Sequence, residues 1–413
     1  MIKKKITVFN LGCKVNQYEC DILAEKLKNK GYDVYEDLCF SDIYVLNTCA
    51  VTSEAERKSR QAVARCRALN PEAKILVCGC ASQNSPESFK KDGVIYISGT
   101  ANKTELINHI ENFEFDVNID VLPLKYEEDI LENPHRTRAF VKIQDGCNNF
   151  CSYCLIPFLR GRSRSANPEN ILKEIKHLSE KTKEIVLTGI DLMSYGKDIG
   201  TDLNSLVKSL SDIDVRIRLG SVYAEKITEE LLDSLYSLKD FCSHFHLSLQ
   251  SGDNDVLKSM NRHYTTDIYS DKIELIRKYD KNAGITTDVI VGFPTETEDR
   301  FINTCNFVKS VKFSDLHIFP FSSRSGTQAA LMKKIDSSII KERKKIMSNI
   351  KFDLKNEFLK NNIGINHKIL FEENIDGYNT GYSGNYIKIY TKKEGEIINT
   401  TPNKLFKDGL LEE

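Results

Sequence analysis

The sequence lacks any apolar run of the roughly 18 residues that a membrane-spanning helix needs. It also lacks a surplus of either charge, because 58 Lys and Arg stand against 59 Asp and Glu, for a net charge of −1. The first absence predicts that the protein does not span a membrane. The second means that any surface for nucleic acid must come from local clusters of Lys and Arg rather than from the overall charge.

Cysteine is sparse as well, since twelve residues are spread over a chain of 413. A small secreted domain would carry a dense disulfide framework, so this spacing favours metal binding or reduced thiols, and with them the cytoplasm. A lipoprotein signal in residues 3–13 is an alternative, because the stretch ends in Leu11-Gly12-Cys13. Its apolar part is too short and contains Asn10, so we expect no such signal.

Three cysteines stand close together in the middle of the chain, in the stretch GCNNFCSYC at 146–154. Structural zinc usually takes four protein ligands in two separated pairs, whereas a tight triplet suits an iron–sulfur cluster with one open iron. The C-x3-C-x2-C spacing of Cys147, Cys151 and Cys154, with Tyr153 before the last of them, resembles the cluster loop of the radical S-adenosylmethionine (SAM) enzymes.

A second set of cysteines, Cys13, Cys49 and Cys80, follows strands that we predict at 5–10, 43–47 and 74–77. Strands that alternate with helices predict a parallel sheet, whose post-strand loops share one edge, so these cysteines are expected to converge. Cys78 competes with Cys80, but it ends its strand, whereas Cys80 lies beyond a glycine. The alternative for every cysteine is an ordinary buried thiol. We interpret five others in that way: Cys20, Cys39, Cys66, Cys242 and Cys305.

Further strands are predicted at 138–144, 184–188, 215–219, 244–249, 286–291 and 315–319, with helices between them. Six repeats fall short of the eight of a closed barrel, so we predict a partial (βα)6 barrel with an open side. Polar and glycine residues follow several strands, at the edge that carries the chemistry in such barrels. We expect a SAM pocket there, opposite the cluster loop, with these candidates: Tyr153, Thr188, Gly189, Asp191, Ser248 and Gln250.

Charge and turn patterns mark the segments that flank the barrel. Residues 111–132 carry eight acidic residues and one Lys, which predicts a solvated connector and a domain boundary. Residues 331–360 carry nine Lys or Arg and four acidic residues, which is typical of a solvated helix face. Short strands at 366–371, 377–382, 385–390 and 395–400 predict a small antiparallel barrel. Tyr382, Tyr386 and Lys388 suit RNA binding, and a structural lid is the alternative.

The whole chain resembles the radical SAM methylthiotransferases. Family motifs occur in order: LGCKVN at 11–16, NTCAVT at 47–52, GCASQ at 79–83, QDGC at 144–147, HLSLQSG at 246–252 and GFP at 292–294. The resemblance implies an α/β protein with an N-terminal methylthiotransferase domain at 1–122 and a radical SAM domain at 133–360. It also implies a TRAM-like RNA-binding domain at 361–413.

The resemblance further implies two [4Fe-4S] clusters with different tasks. Cys147, Cys151 and Cys154 would hold the cluster that binds and cleaves SAM. The other three, Cys13, Cys49 and Cys80, would hold a second cluster, which carries the sulfur that is methylated and transferred. The implied partners are tRNA, an electron donor such as flavodoxin or ferredoxin, and a sulfur source, in the cytoplasm and away from the membrane.

The residues after Cys13 and before Cys147 resemble the branch that methylthiolates N6-threonylcarbamoyladenosine next to the anticodon. The alternatives are isopentenyladenosine in tRNA and an aspartate of a ribosomal protein. A threonylcarbamoyl group brings a carboxylate, so we expect cationic partners, with Arg160 and Arg162 as candidates. More distant alternatives are another radical SAM reaction and a non-catalytic zinc-stabilised RNA-binding protein, which would lack the visible absorption of iron–sulfur clusters.

Overall fold

The structure of the chain is a computed structural model that describes residues 3–110, 115–119, 122–134 and 136–413. Within these ranges, no helix has both the length and the apolar character that a membrane crossing requires. The predicted acidic connector falls partly on residues 111–114 and 120–121, which lie outside the described residues. The domain boundaries at 122 and 133 therefore stay predictions.

The N-terminal segment forms a parallel sheet in the order β2-β1-β3-β4-β5-β6. Its central strands are continuous apolar runs, as expected of a sheet that is covered on both faces. The strands are β1 (Lys5–Asn10), β2 (Asp33–Tyr35), β3 (Ile43–Thr48), β4 (Lys74–Gly79), β5 (Val94–Ser98) and β6 (Asp116–Asn118). The helices are α1 (Lys14–Asn29), α2 (Ser53–Leu69), α3 (Cys80–Asn84) and α4 (Leu106–His109), with 3-10 turns at Pro86–Phe89 and Lys103–Glu105.

The middle segment forms the predicted partial barrel from two parallel sheets, β11-β10-β7 and β12-β13-β14-β15, which a bridge between Ile217 and Phe241 joins. Its strands are β7 (Arg138–Lys142), β10 (Glu184–Thr188), β11 (Arg216–Leu219), β12 (Ser221–Val222), β13 (His244–Leu247), β14 (Gly284–Val291) and β15 (Asp315–Pro320). A short antiparallel pair, β8 (Gln144–Asp145) and β9 (Arg164–Ser165), brackets the cysteine loop.

Helices alternate with these strands and cover the outside of the barrel. They are α5 (Ile156–Arg160), α6 (Pro168–Ser179), α7 (Leu203–Ser209), α8 (Glu229–Tyr236), α9 (Asn254–Ser259), α10 (Thr266–Tyr279), α11 (Glu298–Val311) and α12 (Ser337–Asn361). The 3-10 turns are Leu192–Ser194, Ala224–Lys226 and Gln328–Leu331. Several helices begin at a capping side chain, as when Thr297 accepts a hydrogen bond from the backbone N–H of Arg300 at the start of α11.

The N-terminal sheet closes the open side of the barrel. β7 and β15 lie at its two free edges, and α1 packs there because Tyr18 and Ile22 join the apolar core of the barrel. Arg324, which follows β15, makes a buried ion pair of 2.7 Å with Glu56 of α2. The edge of the N-terminal sheet that carries its cysteines therefore faces the barrel interior.

The C-terminal segment is a small sheet in the order β19-β16-β17-β18-β21-β20. Its strands are β16 (His367–Ile375), β17 (Tyr378–Ser383), β18 (Lys388–Thr391), β19 (Ile397–Thr400), β20 (Lys404–Phe406) and β21 (Gly409–Leu411). The pairing is mixed rather than purely antiparallel, because β18 and β21 run parallel. The predicted strand at 385–390 starts late, since Tyr386 adopts a φ of +68° in the preceding turn.

This sheet docks on the amino ends of the barrel strands. Arg218 of β11 donates hydrogen bonds of 3.1 Å to the carbonyl oxygens of residues 383 and 384. The ring of Tyr386 stacks between His244, at 4.6 Å, and Tyr382, at 4.7 Å. Tyr386 therefore takes part in the docking of the C-terminal sheet and is still 39% exposed, and its role in RNA binding stays a prediction.

Candidate functional site

The loop that carries the three central cysteines starts at a position that suits only glycine. Gly146 has a φ of +70°, and a Cβ atom there would lie 2.0 Å from the carbonyl oxygen of Arg162. Cys147 and Cys151 are buried, and Cys154 is half-buried. Because β8 and β9 pair on either side of the loop, its ends are fixed at the carboxyl edge of the barrel.

Every thiol of this loop accepts a hydrogen bond from an N–H group. The pairs are Asn149 with Cys147 (3.5 Å from the backbone and 3.4 Å from the side chain), Arg262 with Cys151 (3.6 Å) and the backbone of Ile156 with Cys154 (3.4 Å). Donors of this kind stabilise thiolates that are bound to iron and tune the potential of a cluster. The donor set therefore fits an iron–sulfur cluster.

The same thiols are costly to ionise without iron. Burial, together with the charge of Cys151, raises the pKa of Cys147 to about 11 and that of Cys154 to about 12. Iron takes the place of the thiol protons, so a cluster offsets this cost. Within the described residues, no group of three His, Cys, Asp or Glu side chains could bind a single metal ion. A four-iron cluster does not require such a group, because each thiolate binds a different iron.

A cavity of about 120 Å³ opens beside this loop. Three of the predicted SAM contacts, Tyr153, Ser248 and Gln250, line it together with the three cysteines. Gln250 adopts a φ of +70°, and its backbone N–H donates to the carbonyl of Asp288 at 2.8 Å. The turn after β13 is thereby fixed against β14, and it places polar groups opposite the cysteines.

The other three predicted SAM contacts lie beside this cavity rather than in its lining. Thr188 ends β10, and Gly189 and Asp191 follow it, whereas Ile190 lines the cavity. Asp191 accepts a hydrogen bond of 3.0 Å from the side chain of Asn149, which itself donates to the first thiol of the loop. Asp191 therefore orients a donor to a cysteine in this structure.

The three N-terminal cysteines lie together at one edge of their sheet. Cys13 precedes α1, Cys49 follows β3 and Cys80 begins α3, and β1, β3 and β4 are neighbours in parallel register. Burial, with the charges of Cys80 and Cys13 added, raises the pKa of Cys49 to about 12. Cys13 is exposed, whereas the other two are buried.

Gly79 separates the two neighbouring cysteines at the end of β4. Its φ is +103°, and a Cβ atom there would lie 2.5 Å from the carbonyl oxygen of Thr48. Cys78 packs in one apolar core of the N-terminal segment, with Ile6 among others, whereas Cys80 belongs to the other core. The turn at this glycine thus directs Cys80 to the edge where Cys13 and Cys49 lie.

Three further cavities lie near the two sets of cysteines. One of about 190 Å³ is lined by residues 50–52, which directly follow Cys49, and by Cys154 and Gln250. Lys14 lines two larger cavities. The first, of about 550 Å³, also has Cys13, Arg138 and Glu372 in its wall. The second, of about 300 Å³, reaches His244 and His246 inside the barrel and Tyr386 of the C-terminal sheet.

Comparison with known proteins identifies this combination. Residues 141–308 match the radical SAM superfamily, and residues 5–97 match the Uncharacterized protein family UPF0004. The chain is 37% identical to the threonylcarbamoyladenosine tRNA methylthiotransferase MtaB of Bacillus subtilis, over 95% of this chain and 91% of that protein. The chain belongs to the radical SAM methylthiotransferase family.

Other comparisons agree with this assignment. The chain is 35% identical to the tRNA-2-methylthio-N(6)-dimethylallyladenosine synthase of Pelotomaculum thermopropionicum, over 90% of this chain and 88% of that protein. The radical SAM methyltransferase TsrM of Kitasatospora setae, solved with cobalamin and a [4Fe-4S] cluster, shares the fold with a TM-score of 0.57. That match covers 77% of this chain and 75% of the other at 13% identity. Membership of the superfamily implies SAM and a [4Fe-4S] cluster for this methylthiotransferase.

Arg160, which the sequence suggests as a substrate contact, has no free donor in this methylthiotransferase. Its side chain is fully buried. The guanidinium donates to six acceptor atoms on four residues: Cys80 Sγ (3.4 Å), Glu19 Oε1 and Oε2 (3.0 and 3.2 Å), Asp145 Oδ1 and Oδ2 (3.0 and 3.1 Å) and Asn16 Oδ1 (3.0 Å). This geometry disfavours Arg160 as a partner for a substrate carboxylate.

Arg162, the other suggested contact, is exposed and lies between α5 and β9. Its guanidinium carbon is 4.4 Å from the centre of the Phe150 ring, within the range of a cation–π contact. The exposed charge is available to a polyanion such as RNA, so a substrate role for Arg162 stays a prediction.

Sequence reasoning missed one residue of the first cysteine site, Arg262. It lines the 120 Å³ cavity, and its guanidinium lies between the rings of Tyr223 (4.6 Å) and Tyr264 (5.0 Å). No motif marks it, because Arg262 follows α9 and reaches Cys151 across 111 residues of sequence. The left-handed φ of +57° at Asn261 turns the chain there, but asparagine after a helix is too common a signal to have identified the site.

Proposed function

We propose that this methylthiotransferase adds a methylthio group to C2 of N6-threonylcarbamoyladenosine in tRNA. Its relative from Bacillus subtilis carries that activity in its name and matches this chain over nearly its whole length. The observation that favours a carboxylate-bearing base is the position of Lys14, which directly follows Cys13 and lies in the wall of both large cavities.

The cysteine sites supply two iron–sulfur centres in this proposal. Cys147, Cys151 and Cys154 hold the cluster beside SAM, and their N–H donors support it. The N-terminal set, Cys13, Cys49 and Cys80, holds a second [4Fe-4S] cluster. When bound, the two clusters and SAM supply the radical that activates the adenine carbon and the sulfur that is transferred.

The chain itself binds and orients the reactants. Tyr153, Ser248 and Gln250 line the cavity beside the cluster loop and would contact SAM there, while Thr188, Gly189 and Asp191 form the turn that supports the loop. The cavity of about 190 Å³ is lined by Cys154 and by the loop that follows Cys49, so a base in it would lie between the cluster loop and the N-terminal segment. An electron donor, such as flavodoxin or ferredoxin, and a sulfur source stay predictions.

Lys14 is the cation best placed for the substrate carboxylate. The neighbouring cations are already paired: Arg136 lies 2.6 Å from Glu36, and Arg138 lies 3.0 Å from Glu184 and also contacts Glu372. Within the described residues, no carboxylate lies within salt-bridge distance of Lys14. A carboxylate on the substrate would complete this pair, and a charge-assisted bond of that kind is stronger than a neutral one.

Isopentenyladenosine, the alternative substrate in tRNA, requires a cavity with an apolar lining. An isopentenyl group presents only carbon and offers no charge-assisted bond to the ammonium of Lys14. The lining of the larger cavity is dominated by charged and polar side chains, from Asn10 and Gln17 to Arg138 and Glu372. The site therefore favours the threonylcarbamoyl base over the prenylated one.

The deciding experiment is nucleoside mass spectrometry of tRNA from cells that lack this gene, with and without complementation by the wild-type chain. We expect loss of the methylthiolated threonylcarbamoyladenosine and its return on complementation. If methylthiolated isopentenyladenosine is lost instead, the chain belongs to the other tRNA branch. If both tRNA products persist, the tRNA proposal is wrong, and methylthiolation of the aspartate of the ribosomal protein is measured instead.

A further inference from the structure

Between the two cysteine sets lies a buried group of charges with a surplus of cations. Four cations, Lys103, Lys142, Arg160 and Arg164, are each at most 6% exposed. Among the described residues, they pair with two carboxylates, Glu19 and Asp145. Four cations against two carboxylates leave an excess of two positive charges.

Such an excess is costly in a protein interior unless an anion lies close by. The nearest candidates are the N-terminal thiols. Arg160 Nε donates to Sγ of Cys80 at 3.4 Å. Its Nη2 donates to Asn16 Oδ1 at 3.0 Å, and the same oxygen accepts from the thiol of Cys13 at 3.4 Å. A four-iron cluster held by three thiolates is a net anion, and reduction makes it more negative.

Arg160 also joins the two sites mechanically. It belongs to α5, which follows the cluster loop directly, while Asp145 stands just before Gly146 at the other end of that loop. Arg160 bonds Asp145 at 3.0 Å and Glu19 of α1 at 3.0 Å. One guanidinium therefore fixes both ends of the first cysteine loop to the helix that starts at Cys13 and to the thiol of Cys80.

We infer that Arg160, supplied by the barrel, is a positioning residue for the N-terminal cluster: it holds Cys80 and compensates the charge of the cluster. The inference rests on the two-cluster proposal above. Removing the guanidinium leaves the reduced, more negative cluster with less compensating charge, so reduction becomes less favourable and the midpoint potential falls. The thiols of the barrel loop have separate donors in Asn149, Arg262 and Ile156, so that cluster depends less on Arg160.

The test isolates the N-terminal cluster in the full chain. Cys147, Cys151 and Cys154 are replaced together by Ala, the protein is reconstituted anaerobically, and iron content and midpoint potential are measured by EPR-monitored redox titration. Arg160→Gln removes the charge in this background, and Arg160→Lys keeps the charge but loses the planar donor set. Arg57→Gln is the matched control, because Arg57 is exposed on α2 and its ion pair, among the residues that the structure describes, is with the exposed Glu54.

We expect Arg160→Gln to shift the potential below that of the control, or to lose iron from the N-terminal site, with Arg160→Lys between the two. Equal potential and equal iron in Arg160→Gln and Arg57→Gln would overturn the inference. If Arg160→Gln does not fold, Arg160→Lys decides, and a potential and iron load like those of the control would overturn the inference as well. A parent triple variant that binds no cluster at all would instead refute the two-cluster proposal.

Discussion

Replacing Lys14 tests how the substrate is recognised. In Lys14→Met the side chain keeps its length but loses the ammonium that faces the two large cavities. A hydrogen bond to a charged group contributes about 1.5–3 kcal/mol. At about 1.4 kcal/mol per factor of ten, kcat/KM for tRNA that carries threonylcarbamoyladenosine should fall by about 10- to 150-fold.

The assay is methylthiolation of such a tRNA under anaerobic conditions, with the product measured by nucleoside mass spectrometry. Iron content and reductive cleavage of SAM are measured alongside, because Lys14 neighbours Cys13 and the loss must not reflect a missing cluster. Lys14→Arg keeps the charge and should retain most of the activity. Arg136→Gln is the matched control, since this cation already pairs with Glu36 and its removal should change kcat/KM by less than about threefold.

One result would refute the reasoning directly. If Lys14→Met retains its iron and its SAM cleavage and also keeps kcat/KM within about threefold of wild type, no charge-assisted bond to Lys14 contributes to the transition state. An equal loss in Lys14→Arg and Lys14→Met would show that the size of the side chain matters and not its charge.

The other predictions concern the clusters, the interfaces and pH. The wild type should hold about eight irons, and replacing Cys147, Cys151 and Cys154 by Ala should halve this load. Replacing Cys13, Cys49 and Cys80 should abolish methylthiolation but leave the cleavage of SAM intact. Arg324→Met should lower the unfolding free energy by about 2 kcal/mol in urea, because Glu56 loses its 2.7 Å ion pair and keeps only the longer pair with Arg60 (3.8 Å) and a hydrogen bond from Asn84. A loss below about 1 kcal/mol would contradict this. Burial raises the pKa of Glu174 to about 8, above its value in the unfolded chain. The contribution of Glu174 to stability is therefore present in acid and is lost as pH rises. Glu174→Gln should gain stability relative to wild type between about pH 4.5 and 8, and a pH-independent difference would refute this. Neutralising the exposed Lys344 and Lys345 of α12 should make tRNA affinity depend less steeply on salt concentration. An unchanged dependence would show that these lysines do not contact tRNA and belong to a solvated helix face.

Local sequence patterns predicted much of the fold because strands and turns leave short-range signals. The strands at 5–10 and 184–188 match β1 and β10 residue for residue, since buried parallel strands are uninterrupted apolar runs. The predicted strand at 138–144 instead divides into β7 and β8, because Gln144 and Asp145 leave the barrel to pair with β9. That pairing partner lies about 20 residues away and cannot be recognised from the apolar run alone.

The positions of the two cysteine sets were also predictable from sequence, because the central three are closely spaced in one loop and the N-terminal three each follow a strand of one parallel sheet. That each set binds a cluster stays a prediction. Tertiary structure alone decided the roles of the charged residues around them. Arg160 reads as an exposed arginine after the loop, yet it is fully buried because Glu19 and Cys80 meet it from other parts of the chain, 141 and 80 residues away. Lys14 and Arg262 acquire their surroundings in the same manner. Whether a charged side chain is already paired depends on residues that folding brings next to it. Those residues are distant in sequence, so no local sequence pattern predicts the pairing.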